Sequence, residues 1–306
     1  MTTTAVTVGA GATTTPPITP GASAAAQARK RLSSPWASIA ALVLAFLWTL
    51  PTFGLLISSF RPERAVRTTG WWTFFSNPVL TLDNYRGAFA GEVQLGSYFI
   101  NSFVITIPAV IIPVCLALLA AYAFAWTDFR GKNFLFVAVF ALQIVPIQVT
   151  LIPLLTLYVQ ADLAGSFWTI WLSHSIFALP LAIFLLHNFM REIPRELIEA
   201  ARMDGAGHVQ ILLRVLLPLL TPALAAFGIF QFLWVWNDLL VALTFAGGGT
   251  DVAPLTVGVY NLSGTRGTAL HLLSAGAFIS IIVPMAVFLA LQRFFVRGLL
   301  AGGLKG

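Results

Sequence analysis

Charge is what this sequence has least of. Charged residues make up 9% of 306 positions, where a soluble domain carries roughly a quarter. So few charges cannot cover a water-facing surface, which excludes a soluble enzyme, a soluble nucleic-acid-binding domain and a disordered chain. Cysteine is nearly missing. Cys115 stands alone inside an apolar run, so no internal disulfide can form. Acid is scarce at depth: of 11 Asp and Glu, only Asp238 falls inside a long apolar run. There is no Gly-x-x-x-x-Gly-Lys-Ser/Thr loop, so the chain has no nucleotide cradle of its own; Gly131-Lys132 lacks the required context. His-Glu-x-x-His, paired intramembrane aspartates and a Gly-x-Ser-x-Gly elbow are missing too, which removes the common intramembrane enzymes.

What is present is apolar side chain, at 58% of the sequence with a mean hydropathy of +0.88. The fold class expected is all-α, a polytopic membrane protein. Six runs reach the 20 or so residues a bilayer-spanning helix needs: 36–60, 98–126, 134–159, 167–190, 219–245 and 272–295. Residues 1–35 read as an uncharged Thr, Ala, Pro and Gly tail with a basic end, 36–300 as the six-span domain and 301–306 as a short terminal tail. The apolar core starts too late and runs too long for a signal peptide, so the first span is expected to stay. Prolines recur within the runs, at 51, 108, 113, 146, 153, 180, 222 and 284, and each removes one helical hydrogen bond.

A net charge of +6 and a pI near 10.0 would suggest nucleic acid in a soluble protein. Here the basic residues serve topology instead. Arg29, Lys30, Arg31, Arg130, Lys132, Arg191, Arg195, Arg202, Arg214, Arg293, Arg297 and Lys305 fall on one side. Arg61, Arg64, Arg67, Arg86 and Arg266 fall on the other. The excess predicts both termini and segment 191–218 in the cytoplasm, with 61–97, a turn near Asp162 and 246–271 outside.

Segment 191–218 carries the strongest signal. Pro194 suits a first helical turn, Glu196 and Glu199 suit the helix dipole, and Leu197, Ile198 and Ala201 give an apolar edge. Gly205 is a natural stop, and a second helix over 208–217 leads to Pro218. A short helix, a glycine break and a second helix make a protrusion that either docks in a partner's groove or lies on lipid. The pattern Glu199-Ala200-Ala201-x-x-Asp204-Gly205, followed by Val215-x-Leu217-Pro218, resembles the EAA motif of ATP-binding-cassette importer permeases, with Val215 where isoleucine is more usual. Tyr98-Phe99-Ile100-Asn101-Ser102-Phe103, Leu118 with Ala120-Ala121-Tyr122-Ala123-Phe124, Trp236-Asn237-Asp238 and the ending Gly302-Gly303-Leu304-Lys305-Gly306 are similar to carbohydrate importers of the maltose-permease type.

That resemblance implies a bacterial inner-membrane permease working with a second homologous permease, an ATPase dimer that holds ATP and Mg, and an external sugar-binding protein. Cofactors are then expected in the partners and none in this chain. The segment would be a coupling helix pair. Glu199 would meet a basic residue of the ATPase, Ala200 and Ala201 would keep the face small, and Gly205 would permit the turn, where a side chain would clash or misplace the second helix. Asp204 would cap the second helix or pair with the partner. Lys305 would touch the ATPase, and segment 246–271 would reach toward the binding protein. The stretch 261–305 leans toward an α-glucoside such as maltose or trehalose, with a polyol or glycerophosphodiester fitting the same scaffold.

Candidates for the solute path are polar groups at membrane depth, where they are costly and functional by default. They are Gln143 and Gln148 in the third run, His174 in the fourth, and Gln231, Trp234, Asn237 and Asp238 in the fifth. Gln231, Trp234 and Asp238 share one helical face, as do Trp171, His174 and Ser175. Interhelical hydrogen bonding is the alternative use for such groups. His174 and His187 have no ligand cluster in sequence to suggest a metal. A proton- or sodium-driven transporter would need more buried charge and internal repeats, and neither is visible.

Overall fold

The computed structural model describes residues 35–303 except 92, 248 and 264–268, with side chains described through 292. The readings on the first 28 residues, Arg266 and Lys305 lie outside the described residues. Among the described residues every regular element is helical. They divide into two units, one ending at Gly54 and one beginning at Leu55. In the first unit, helix α1 (Pro35–Ser59) begins, an apolar run with Pro51 inside it.

The second unit holds the remaining helices. They are α2 (Glu63–Thr68), α3 (Asp83–Ala90), α4 (Leu95–Trp126), α5 (Lys132–Ala141), α6 (Ile147–Gln160), α7 (Phe167–Arg191), α8 (Arg195–Met203), α9 (His208–Gln210), α10 (Leu217–Trp236), α11 (Leu240–Phe245), α12 (Leu255–Leu262) and α13 (Leu270–Gly303). The centre is α4 packed along α7, with α10 lying against α4, α7 and α13.

Among the described residues, counting α1, five helices are long and apolar enough to cross a bilayer, and the bent pair at 132–144 and 147–160 makes a sixth if it is one span. The third run is therefore not one straight helix, as the sequence suggested. The two halves meet at 102°. Pro146 explains the break: it disfavours helical backbone at Val145, which is extended at φ −73° and ψ 118°. The fifth run is also interrupted. Helix α10 ends at Trp236, and Asp238 starts α11 by accepting hydrogen bonds from the Val241 and Ala242 backbone N–H at 3.3 and 2.9 Å. Asp238 thus leaves the helical face it was expected to share with Gln231 and Trp234.

At three other prolines inside helices, a neighbour takes over the carbonyl the proline frees. Pro108 leaves Val104 O without its helical donor, and Trp171 Nε1 donates to it at 2.9 Å. Pro113 frees Ala109 O, which accepts from Gln231 Nε2 at 3.2 Å. Pro284 frees Ser280 O, which accepts from Trp236 Nε1 at 3.1 Å. With no water in the hydrocarbon, each carbonyl needs such a donor. These three bonds join α4 to α7, α4 to α10 and α10 to α13.

The segments between spans are ordered by polar side chains. Arg61 is 4% exposed. Its guanidinium donates to Gly70 O at 3.0 Å and to the Thr73 hydroxyl at 3.0 Å, folding 61–75 around itself. The glycine-rich stretch read as a loop, 246–271, contains α12, whose Leu255, Val257 and Leu262 are buried against Leu95 and Tyr98. Gly258 permits that approach, since a Cβ there would sit 2.8 Å from Leu95 and Tyr98 side-chain atoms.

Candidate functional site

The coupling candidate is built on a single buried anchor. Ile198 is 1% exposed and packs with Leu186, Met190, Ile211, Leu212 and Leu216. On α8, Glu199 and Ala200 point the other way and are exposed, while Ala201 is half-buried against the same cluster. The helix then stops in a defined way. Gly205 N–H donates to Arg202 O at 3.0 Å and Ala206 N–H donates to Ala201 O at 2.9 Å, the paired bonds of a Schellman C-cap. Gly205 has φ +81°, which only glycine adopts freely. A Cβ at Gly205 would meet nothing within 4 Å, so the expected clash is absent from this chain and backbone conformation is the reason for glycine.

Asp204 is the exposed C-cap residue of α8 and does not cap the second helix. That role falls to Gln210, whose Oε1 accepts from Gly207 N–H at 3.2 Å. Nor is the second helix separate from the fifth span. From His208 it runs through a π-helical stretch, Ile211–Leu216, into α10, giving one continuous element to Trp236. Pro218, exposed at the start of α10, cannot donate to Arg214 O, and the helix widens just ahead of it. The result is an exposed turn that presents Glu199, Ala200 and Asp204 beside Arg202 and the apolar Met203, set on a helix that continues to Trp236.

The solute-path candidates separate into four groups. Gln231 is 1% exposed, with its amide committed to Ala109 O. His174, Trp234 and Asp238 come together. The His174 and Trp234 rings meet edge to face at 5.1 Å, and His174 Nε2 lies 3.7 Å from Asp238 Oδ2, longer than a hydrogen bond. His174 Nδ1 is buried and has no hydrogen-bond partner among the described residues. Asn237 is exposed and returns its amide to Leu233 O at 2.7 Å. Gln143 and Gln148, both exposed, flank the bend at Pro146, and Gln143 lines an otherwise largely apolar groove of about 370 Å³.

Sequence reasoning missed what pins the segment after the fifth run, 250–261, to α4. Asn101 Nδ2 donates to Thr250 O at 2.8 Å and Ala253 O at 3.1 Å, and Ser102 Oγ accepts from Leu255 N–H at 2.7 Å. Asn261 Nδ2 donates to the Tyr98 hydroxyl at 3.2 Å. The signal was there: Tyr98, Asn101 and Ser102 belong to one quoted motif, and i, i+3, i+4 spacing puts them on one helical face.

Comparison with known proteins agrees with this architecture. The chain is 52% identical to the osmoprotective compounds uptake permease protein GgtD of Synechocystis, over 87% of this chain and 91% of that one. It is 37% identical to the alpha-glucoside transport system permease protein AglG of Rhizobium meliloti, over 89% of this chain and 97% of that one. Among solved structures, a bacterial ABC transporter involved in the import of the acidic polysaccharide alginate shares the fold at a TM-score of 0.69 and 20% identity, covering 92% of this chain and 100% of that one. Residues 113–300 match the family model described as binding-protein-dependent transport system inner membrane component. A chain with these spans, matched over more than half its length, belongs to that family: it is a multi-pass permease subunit of the inner membrane.

Proposed function

We propose that this permease imports an α-glucoside as one of two homologous membrane subunits, driven by ATP and Mg held in a partner ATPase dimer and fed by an external binding protein. The observation that carries the coupling part is the protruding Schellman turn, with Glu199 and Ala200 exposed over the buried Ile198. Such a surface supports docking into an ATPase groove, with Glu199 offered to a basic residue; the distribution of basic residues supports placing the 191–218 side in the cytoplasm. The loop side, 61–97 and 246–271, then faces the binding protein. ATP shifts the populations of outward- and inward-facing arrangements, and the docked turn must differ in energy between them.

The α-glucoside reading is supported by the likeness to AglG. Gln143, Gln148, Trp234 and Asn237 supply the hydrogen-bonding and aromatic groups that hold a neutral hydroxylated solute. A second reading, import of an osmoprotective compound, draws on the 52% identity to GgtD. One experiment tests both. The binding protein that co-purifies with the complex is screened by thermal shift against maltose, trehalose, glycerol-based polyols and glycerophosphodiesters. Stabilisation by maltose or trehalose supports the α-glucoside; stabilisation by a polyol alone overturns it.

A further inference from the structure

Tyr122 sits at the inner end of α4, 7% exposed and packed with the apolar cluster under the turn. Its hydroxyl lies 2.7 Å from His208 Nδ1, the first residue of α9. The same hydroxyl faces the Arg202 guanidinium on α8. The bond to His208 ties α4 to the limb of the turn that follows Gly205.

Immediately beyond His208 comes the π-helical stretch, Ile211–Leu216. A π turn leaves the regular helical ladder and marks a place where helix register changes. Load arriving at the turn is poorly carried along α10 alone, because that stretch can absorb it. A lateral tie at His208 sends load into α4 before the π turn is reached. On the proposal above that 191–218 is the coupling segment, we infer that Tyr122 is a positioning residue of the coupling machinery: its hydroxyl ties the second limb of the turn, at His208, to the fourth helix, so that ATPase motion moves α4 together with α10.

The test uses the assembled complex in lipid nanodiscs. Spin labels replace Arg130, just past the inner end of α4, and Ala164, in the turn before α7; both positions are exposed, and Cys115→Ser removes the native thiol. The distance between labels is read by pulsed electron resonance with and without vanadate-trapped MgADP. Trapping is expected to shift the distance in the labelled parent. The shift should be lost in Tyr122→Phe and His208→Ala and kept in His208→Asn, whose amide can replace Nδ1. Tyr122→Phe keeps the buried ring, and gel filtration checks that the complex persists. A shift that survives Tyr122→Phe and His208→Ala but vanishes in Gly205→Asp overturns this inference and spares the coupling reading. A shift that survives Gly205→Asp removes both. No shift in the parent also overturns the inference, because α4 then does not follow the ATPase.

Discussion

Gln231 offers a direct way to ask whether proline-freed carbonyls hold this bundle together. Its amide donates to Ala109 O at 3.2 Å, and Ala109 O lacks a helical donor because Pro113 has no N–H. Ala109 is fully buried, so no solvent or lipid group replaces the bond. Gln231→Met keeps the length of the side chain and removes the donor. Leaving a buried acceptor unmade costs about 1–3 kcal/mol, and side-chain bonds measured within membranes average about 0.6 and reach about 1.7 kcal/mol. We therefore expect about 1 kcal/mol, roughly fivefold in the folding equilibrium. Pro113→Ala supplies the missing N–H within α4, so Gln231→Met in that background should cost much less. The assay is reversible unfolding in mixed micelles of the single and double variants. The expected interaction energy is about 1 kcal/mol. Additivity within about 0.3 kcal/mol, the behaviour of independent sites, would refute the reasoning.

Three further outcomes follow from the same geometry. Trp171→Phe and Trp236→Phe keep the aromatic packing but strand Val104 O and Ser280 O, so each should lose about 1 kcal/mol, with the loss relieved by Pro108→Ala or Pro284→Ala respectively. Asn101→Ala frees the Thr250 and Ala253 carbonyls, and hydrogen exchange across 249–263 should quicken about tenfold while α4 stays protected; unchanged exchange would mean that packing alone holds the segment. At Gly205, Ala forced to φ +81° should cost about 1–2 kcal/mol, Asn should be tolerated better, and ATP hydrolysis by the complex should fall in that order; equal activity in both variants would deny the conformational argument.

The bundle was largely legible from apolar run length, because hydrocarbon thickness sets helix length whatever the packing. Breaks were not. Pro146 and Pro153 look alike in sequence, yet α6 runs through Pro153 while the chain turns at Pro146. A proline disfavours helical backbone at the residue before it without forbidding it, so its presence in sequence does not say which of the two outcomes occurs. The face predicted for Gln231, Trp234 and Asp238 assumed one continuous helix; the Asp238 carboxylate ends that assumption by starting a new one. The turn at Gly205 was readable because a Schellman cap is local, its bonds spanning six residues. Which distant side chain meets a freed carbonyl was not, since Gln231 and Ala109 are joined only by tertiary packing.

The central claim is that the turn at 199–205 couples this permease to an ATPase in a binding-protein-dependent importer. The most direct measurement is purification of the chain from its native membrane in mild detergent, with and without Gly205→Asp, followed by mass spectrometry of the partners and assay of ATP hydrolysis. The account predicts a second permease, an ATPase and a binding protein with the parent chain, and loss of binding-protein-stimulated hydrolysis in the variant. A chain that comes down alone or only with copies of itself, or a variant that hydrolyses ATP and transports like the parent, would contradict it.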